Sequence, residues 1–372
     1  MHRIMNDKFN PEMLILACDF RGMTQTELAR QSGVPQGNIS KYGSGIQDIR
    51  SDHLRLLAEV LDFPIEFFYR DGQVKAVESA SVFHRKRKTI PVKTVSKVDA
   101  AVNLLRLDIE RLFNAADAEP GLVMPQYRPG DFKNDIEYIA ALVRAAWSIP
   151  PGPIRNLVAY VEAAGCVILL TSFETDKMDA VSQWKSPSPP VIIMNDQFPG
   201  ERQRFSLAHE LGHLVMHKDE IPYEAMEAEA DMFASALLMP ADRIKRELEP
   251  VNLDHLVQIK PSWKVSVQAL IRRARDLHVI TDRKYTSLFQ MLSKAGYRID
   301  EPFPLPLEEP TLLKKLLDFF YTELDYTPHD VAKILRIHER TLQERYMQTH
   351  SGLRLVPRPK RRRIIKTSVS SI

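Results

Sequence analysis

Residues 205–217 read FSLAHELGHLVMH: two histidines four apart, with a glutamate directly after the first, could hold a metal ion and use it. On a helix, His209 and His213 are one turn plus about 40° apart, so their rings leave the same face and can share one ion. Zinc binds imidazole nitrogen well; a catalytic site needs a third protein ligand and an open position for water. Glu210 sits about 100° round from His209 and can reach that water without binding the ion. It would take the proton as water attacks a peptide carbonyl polarised by zinc, then deliver it to the leaving amine. The plain alternative is a buried amphipathic helix. Leu207, Ala208, Leu211, Leu214 and Val215 supply its apolar surface, and hydrogen bonds would satisfy its histidines. A third ligand is what separates the two readings.

MEAEADMFASALLMP (226–240) is the place to look for it. Its spacing predicts a helix with Met226, Ala230, Phe233, Ala234 and Leu237 on one face, and it offers Glu227, Glu229 and Asp231 within two turns. A helical wheel does not choose between Glu227 and Glu229, since both border a broad apolar arc. His217 lies one further turn along the first helix, rotated and raised away from the first pair, so it is expected beside the ligands rather than among them. Gly212 costs that helix ~1 kcal/mol relative to Ala, but its lack of a side chain would let another backbone pass close by.

The elements that must position these residues follow from patterning. Helices are expected over 135–147 and 153–165, then strands over 166–173, 180–184 and 189–196, rich in Val and Ile, then helices over 201–217 and 224–238. That mixture predicts an α+β domain with a small sheet. Upstream, residues 10–70 read as short helices and 71–97 as a polar, basic linker. Residues 98–116 read as an amphipathic helix whose stripe is Val98, Val102, Leu105, Ile109 and Leu112, and 119–131 as a connector. Downstream, 265–297 is helical, EPFPLPLEEP (301–310) is a proline-rich break, 311–348 is helical, and 351–372 is expected to be disordered.

Composition narrows the class. The 372 residues suggest two to three domains at ~150 residues each. With 44% hydrophobic and 27% charged residues the chain is globular, and no apolar run approaches the ~20 residues of a membrane span. The N-terminus has no signal-peptide pattern. The two cysteines, Cys18 and Cys166, stand far apart in apolar segments, without disulfide or ligand spacing; a reducing, cytoplasmic setting is expected. Net charge is only +3, but HRKRK (84–88) and PRPKRRR (357–363) are local basic runs.

MTQTELARQSGVPQGNISKYGSGI (23–46) predicts two helices around a tight turn: Thr24 and Glu27 form a capping box, Leu28 and Ala29 face inward, Gly33 makes the turn, Pro35 starts the next helix, and Ile39 and Tyr42 pack back. Over about 10–70 this text resembles the Xre/Cro-type helix-turn-helix. The resemblance implies a recognition helix over 36–43, with Gln36 and Lys41 reaching base edges and Gln25, Asn38 and Ser40 touching phosphates of double-stranded DNA. Gly37 stands where such proteins often carry a base-reading side chain, and Gly43 where an acidic residue is usual.

HELGHLVMH followed by E-x-E-A-D-x-F-A-x-x-L-L-M-P resembles the ImmA/IrrE-type metallopeptidases, a zincin group, over about 135–300. The resemblance implies Zn2+ held by His209, His213 and Glu229, Glu210 as general base, and Asp231 supporting a ligand. It also implies a protein substrate, a helix-turn-helix repressor. YTPHDVAKILRIHERTLQERY (326–346) again reads helix, turn, helix, but without a turn glycine; a helical pair packed on the peptidase domain and a second DNA reader both fit.

The expected protein is therefore multidomain: an all-α helix-turn-helix domain (1–75), a basic linker and connecting helix (76–131), an α+β zincin-like metallopeptidase domain (132–300), a helical C-terminal region (301–350) and a basic tail (351–372). The reading leaves room for a homodimer. It also leaves a second functional class open, a non-enzymatic regulator whose zincin domain senses a ligand or holds a partner.

Overall fold

The computed structural model describes residues 8–74, 90–117, 120–173, 175–184, 188–218 and 223–347. Both basic runs, 84–88 and 357–363, and the tail from 351 lie outside the described residues. Four short helices come first: α1 (Pro11–Arg21), α2 (Gln25–Ser32), α3 (Gln36–Gly43) and α4 (Ser51–Leu61), closed by a 3-10 turn over Ile65–Tyr69. Their ends follow local chemistry. Thr24 and Glu27 form the expected capping box, Gly22 and Gly33 end α1 and α2 in the left-handed region, and Pro35 precedes α3. Leu28, Val34, Ile39, Tyr42, Leu54 and Leu57 bury together.

α5 (Val92–Ala116) begins six residues before the expected amphipathic stretch, inside the segment read as linker. The extension has a cause: Thr94 and Val95 are buried, with α5 packed along α1. All five residues of the expected stripe are buried, and so are Ala101, Leu104, Leu107 and Asp108 on its other sides. α5 is thus an interior helix, enclosed by the elements on either side of it in sequence.

After α6 (Ile136–Ala146) and α7 (Leu157–Ala163) come the strands β1 (Val167–Thr171), β2 (Ala180–Gln183) and β3 (Val191–Asn195) in the order β1-β3-β2. β1 runs parallel to β3, with Val167 opposite Val191; β2 runs antiparallel to it, with Ala180 opposite Met194. Both faces are covered, which is why the strands read as near-continuous apolar runs. Val167, Leu169, Val181, Val191 and Ile193 join the core that contains α5 and the N-terminal helices. Ile168, Ala180, Ile192 and Met194 join the core on the opposite face.

That second core contains α8 (Gly200–Met216) and α9 (Tyr223–Leu238), followed by α10 (Ala241–Glu247), α11 (Leu253–Trp263), α12 (Val267–Asp276) and α13 (Asp282–Lys294). Residues 301–311 then strap across the start of α8. A Cβ on Gly200 would lie 2.6 Å from the Leu305 carbonyl oxygen, so only glycine lets the strap pass there. Carboxylates fasten it: Glu308 accepts from the Leu157 and Val158 amides at 2.7 and 3.1 Å and pairs with Arg204, and Lys260 bridges Glu201 and Glu301 at 2.8 and 3.1 Å.

The chain closes with α14 (Leu312–Thr322), α15 (Pro328–Leu335) and α16 (Glu339–Leu342), the last continued as a π-helical turn over Gln343–Met347. α15 packs on α5, and the turn after α16 packs on the N-terminal helices. Arg336 donates to the Tyr69 carbonyl, Arg340 pairs with Asp62, and buried Arg345 lies 4.4 Å from the Phe20 ring centre. Tyr346 donates to Asp108 at 2.6 Å, and the other oxygen of Asp108 pairs with Arg70. A segment that spends Arg336, Arg340 and Arg345 on internal partners is a clasp on the first helix-turn-helix.

Candidate metal centre

α8 and α9 pack antiparallel, and their approach is set by Gly212. A Cβ there would lie 3.0 Å from Phe233 Cδ1 and 3.3 Å from Ala230 Cα, so the second backbone passes where the sequence left room for one. Ala230 facing Gly212 fixes the rotation of α9. Glu227, three residues before Ala230, and Asp231, four after Glu227, then share the face turned to the histidines.

The three donor atoms that converge belong to His209, His213 and Glu227, all within 4.8 Å of one another. The Nε2 atoms of the two histidines are 2.9 Å apart, and Glu227 Oε1 is 3.1 Å from that of His213 and 3.5 Å from that of His209. Of the two glutamates, the structure brings Glu227 to the imidazole nitrogens, whereas Glu229, the expected ligand, meets His217 Nε2 at 3.0 Å. The wheel left Glu227 and Glu229 open, and the family resemblance pointed to Glu229. The missed signal was the Gly212–Ala230 contact, which is tertiary.

Behind the donors lies a second set of contacts. Asp231 Oδ1 is 2.8 Å from His209 Nδ1, and His217 Nδ1 is 2.8 Å from His213 Nδ1. His217 ends α8 with non-helical backbone (φ −106°, ψ 57°), which brings its ring behind His213. With each Nδ1 engaged from behind, each Nε2 is left facing inward, the orientation that metal-binding imidazoles need.

The charges are arranged for a cation. Burial opposes the charged form of His209, but hydrogen bonds to Asp231 and Glu227 and the charge of Glu210 outweigh it and raise its pKa to about 10. Burial would raise Glu227, yet His209 and His213 hold it at about 2. Burial, then the charges of His213 and His209, push His217 down to about 3, so it stays neutral. Burial raises Glu229. Two facing imidazole nitrogens stand beside an ionised carboxylate. A divalent cation fits the same point, and a set of two nitrogens and one oxygen suits zinc.

Glu210 is buried (3% exposed) and points to the sheet edge, where Ser182 Oγ on β2 donates to its Oε2 at 2.6 Å. Nothing in the sequence marked Ser182. It is found only because β2 runs beside α8.

Residues 161–275 match the family described as Peptidase_M78, IrrE N-terminal-like domain, a span that holds the sheet and all three donors; residues 21–68 match a helix-turn-helix family. Over these spans the chain is similar to a helix-turn-helix followed by an IrrE N-terminal-like domain. A search of curated proteins finds no match. In the helix-turn-helix, Gln36, Ser40 and Lys41 are exposed along α3, and Asn38 on the same helix and Gln25 at the start of α2 are half-buried. Gln36 Nε2 donates to Gln25 Oε1 at 3.3 Å, which brings the starts of α2 and α3 together. A Cβ on Gly37 would meet nothing within 4 Å, whereas one on Gly43 would lie 2.8 Å from Ile15 Cδ1; the second glycine therefore answers to packing. Among the described residues no helix is long and apolar enough to cross a membrane.

Proposed function

We propose that this chain is a cytoplasmic, DNA-binding regulator with a zinc-dependent endopeptidase centre, and that it cleaves a repressor or other partner protein to control gene expression. The observation that carries the reading is the convergence of His209, His213 and Glu227 directly beside Glu210. When bound, zinc supplies Lewis acidity at the carbonyl to be attacked. Glu210 is the general base: it takes the proton of the attacking water and returns it to the leaving amine. Ser182 orients Glu210 through its hydrogen bond, and Asp231 and His217 orient the two imidazoles. Gln36 and Lys41 read base edges, and Gln25, Asn38 and Ser40 contact phosphates. The test is to incubate the zinc-loaded protein with candidate repressors encoded beside it. Cleavage by wild type and none by Glu210→Gln supports the reading; no partner cut by wild type sinks it.

A second reading, a regulator that senses a ligand without cutting, draws on the two-faced sheet. β1 and β3 contribute one face to the metal-site core and the other to the core of the DNA-binding helices, a route by which occupancy of one side can reach the other. It expects Glu210→Gln to leave the cellular phenotype intact while changes at Gln36 and Lys41 abolish it.

A further inference from the structure

α5 carries lysines that neither reading uses. Its first two turns bury Thr94, Val95 and Val98, and Lys93 (exposed) and Lys97 (half-buried), four apart, lie on the side that meets the α1–α2 turn. Their stems cross the α1–α2 turn: a Cβ on Gly22 would come within 2.9 Å of Lys93 Cε and 2.3 Å of Lys97 Cε. Gly22 lies just before Thr24, the cap of α2, and Gln25, which opens α2, bonds to Gln36 at the start of α3. Both side-chain ends are thus carried beside the start of α2, whose first residue, Gln25, is read as a phosphate contact. Lys93 also lies near enough to act on the charge of Glu27, whose carboxylate is already engaged by the Thr24 amide and hydroxyl at 2.8 and 3.0 Å.

We propose that Lys93 and Lys97 form an additional phosphate-binding site for double-stranded DNA, extending the surface made by α2 and α3. This rests on the helix-turn-helix binding DNA. The same helix covers the face of the sheet opposite α8, so it touches both the DNA-binding helices and the sheet. Lysine–phosphate contacts carry no sequence information, and each releases counterions.

The test is a salt titration of the full chain on a mixed-sequence DNA duplex by fluorescence anisotropy. Each phosphate neutralised contributes a slope of about −0.9 in log K against log salt. Lys93→Gln is expected to reduce the slope by about 0.9 and Lys93→Gln/Lys97→Gln by about 1.8, equally on every duplex. The Lys93→Arg/Lys97→Arg variant is expected to keep the wild-type slope, which separates loss of charge from loss of packing over Gly22. A double Gln variant with the wild-type slope overturns the proposal, as does a double Arg variant as weak as the double Gln. If wild type itself shows no salt-dependent binding to any duplex, the DNA-binding reading falls and this site with it.

Discussion

Glu227→Gln and Glu229→Gln, two residues apart on one helix, should have different effects on zinc affinity. Glu227 Oε1 stands 3.1 and 3.5 Å from the two inward Nε2 atoms, while Glu229 reaches only His217. Structural zinc sites bind with ~10–16 kcal/mol over four ligands, or ~2.5–4 kcal/mol for each. Removing the carboxylate charge at Glu227 while keeping its shape should therefore weaken zinc by about 10²- to 10³-fold. Glu229 acts through His217 and His213, and partners at that remove are worth about 10- to 100-fold. The assay is competition for Zn2+ against a chromophoric chelator, with bound metal counted by native mass spectrometry. It needs no substrate, so it stands apart from whether the protein cuts anything. A larger loss in Glu229→Gln than in Glu227→Gln would refute the reasoning and return the ligand to the residue the family resemblance suggested.

Three further outcomes are expected. Gly212→Ala gains ~1 kcal/mol of helix propensity but presses on Phe233 and Ala230, so net destabilisation of ~1–3 kcal/mol is expected in urea unfolding, with weaker zinc binding because α9 carries Glu227. Asp108→Asn leaves Arg70 buried without its counter-charge, and a loss of ~3–5 kcal/mol is expected; a loss under ~1 kcal/mol would show the clasp to be incidental. Burial, helped by Asp19, raises the Cys18 thiol to about 12, and burial puts Cys166 well above its usual range. At pH 8 both are protonated, so a thiol reagent should label neither in the native protein and both after unfolding; fast native labelling would contradict their burial.

The sequence by itself determined the parts whose causes are local. The capping box at Thr24 and Glu27, the turn at Gly33, the three strands and the pair His209 and His213 all depend on neighbours a few residues away. Periodicity also found the stripe of α5, from Val98 to Leu112, because one buried face is enough to show it. It did not show that the opposite side is buried as well, since Ala101, Leu104 and Leu107 acquire their partners from other segments of the chain. The third ligand was undecided for the same reason. Glu227 and Glu229 have equal claims on an isolated helix, and only the contact of Ala230 with Gly212 sets the rotation that turns Glu227 inward. Ser182, the clasp of Arg340 and Tyr346, and the lysines over Gly22 are pairings across 28, 278, 238 and more than 70 residues. A pattern of period 2 or 3.6 reports which side of an element is apolar. What stands on that side is decided by how the elements pack.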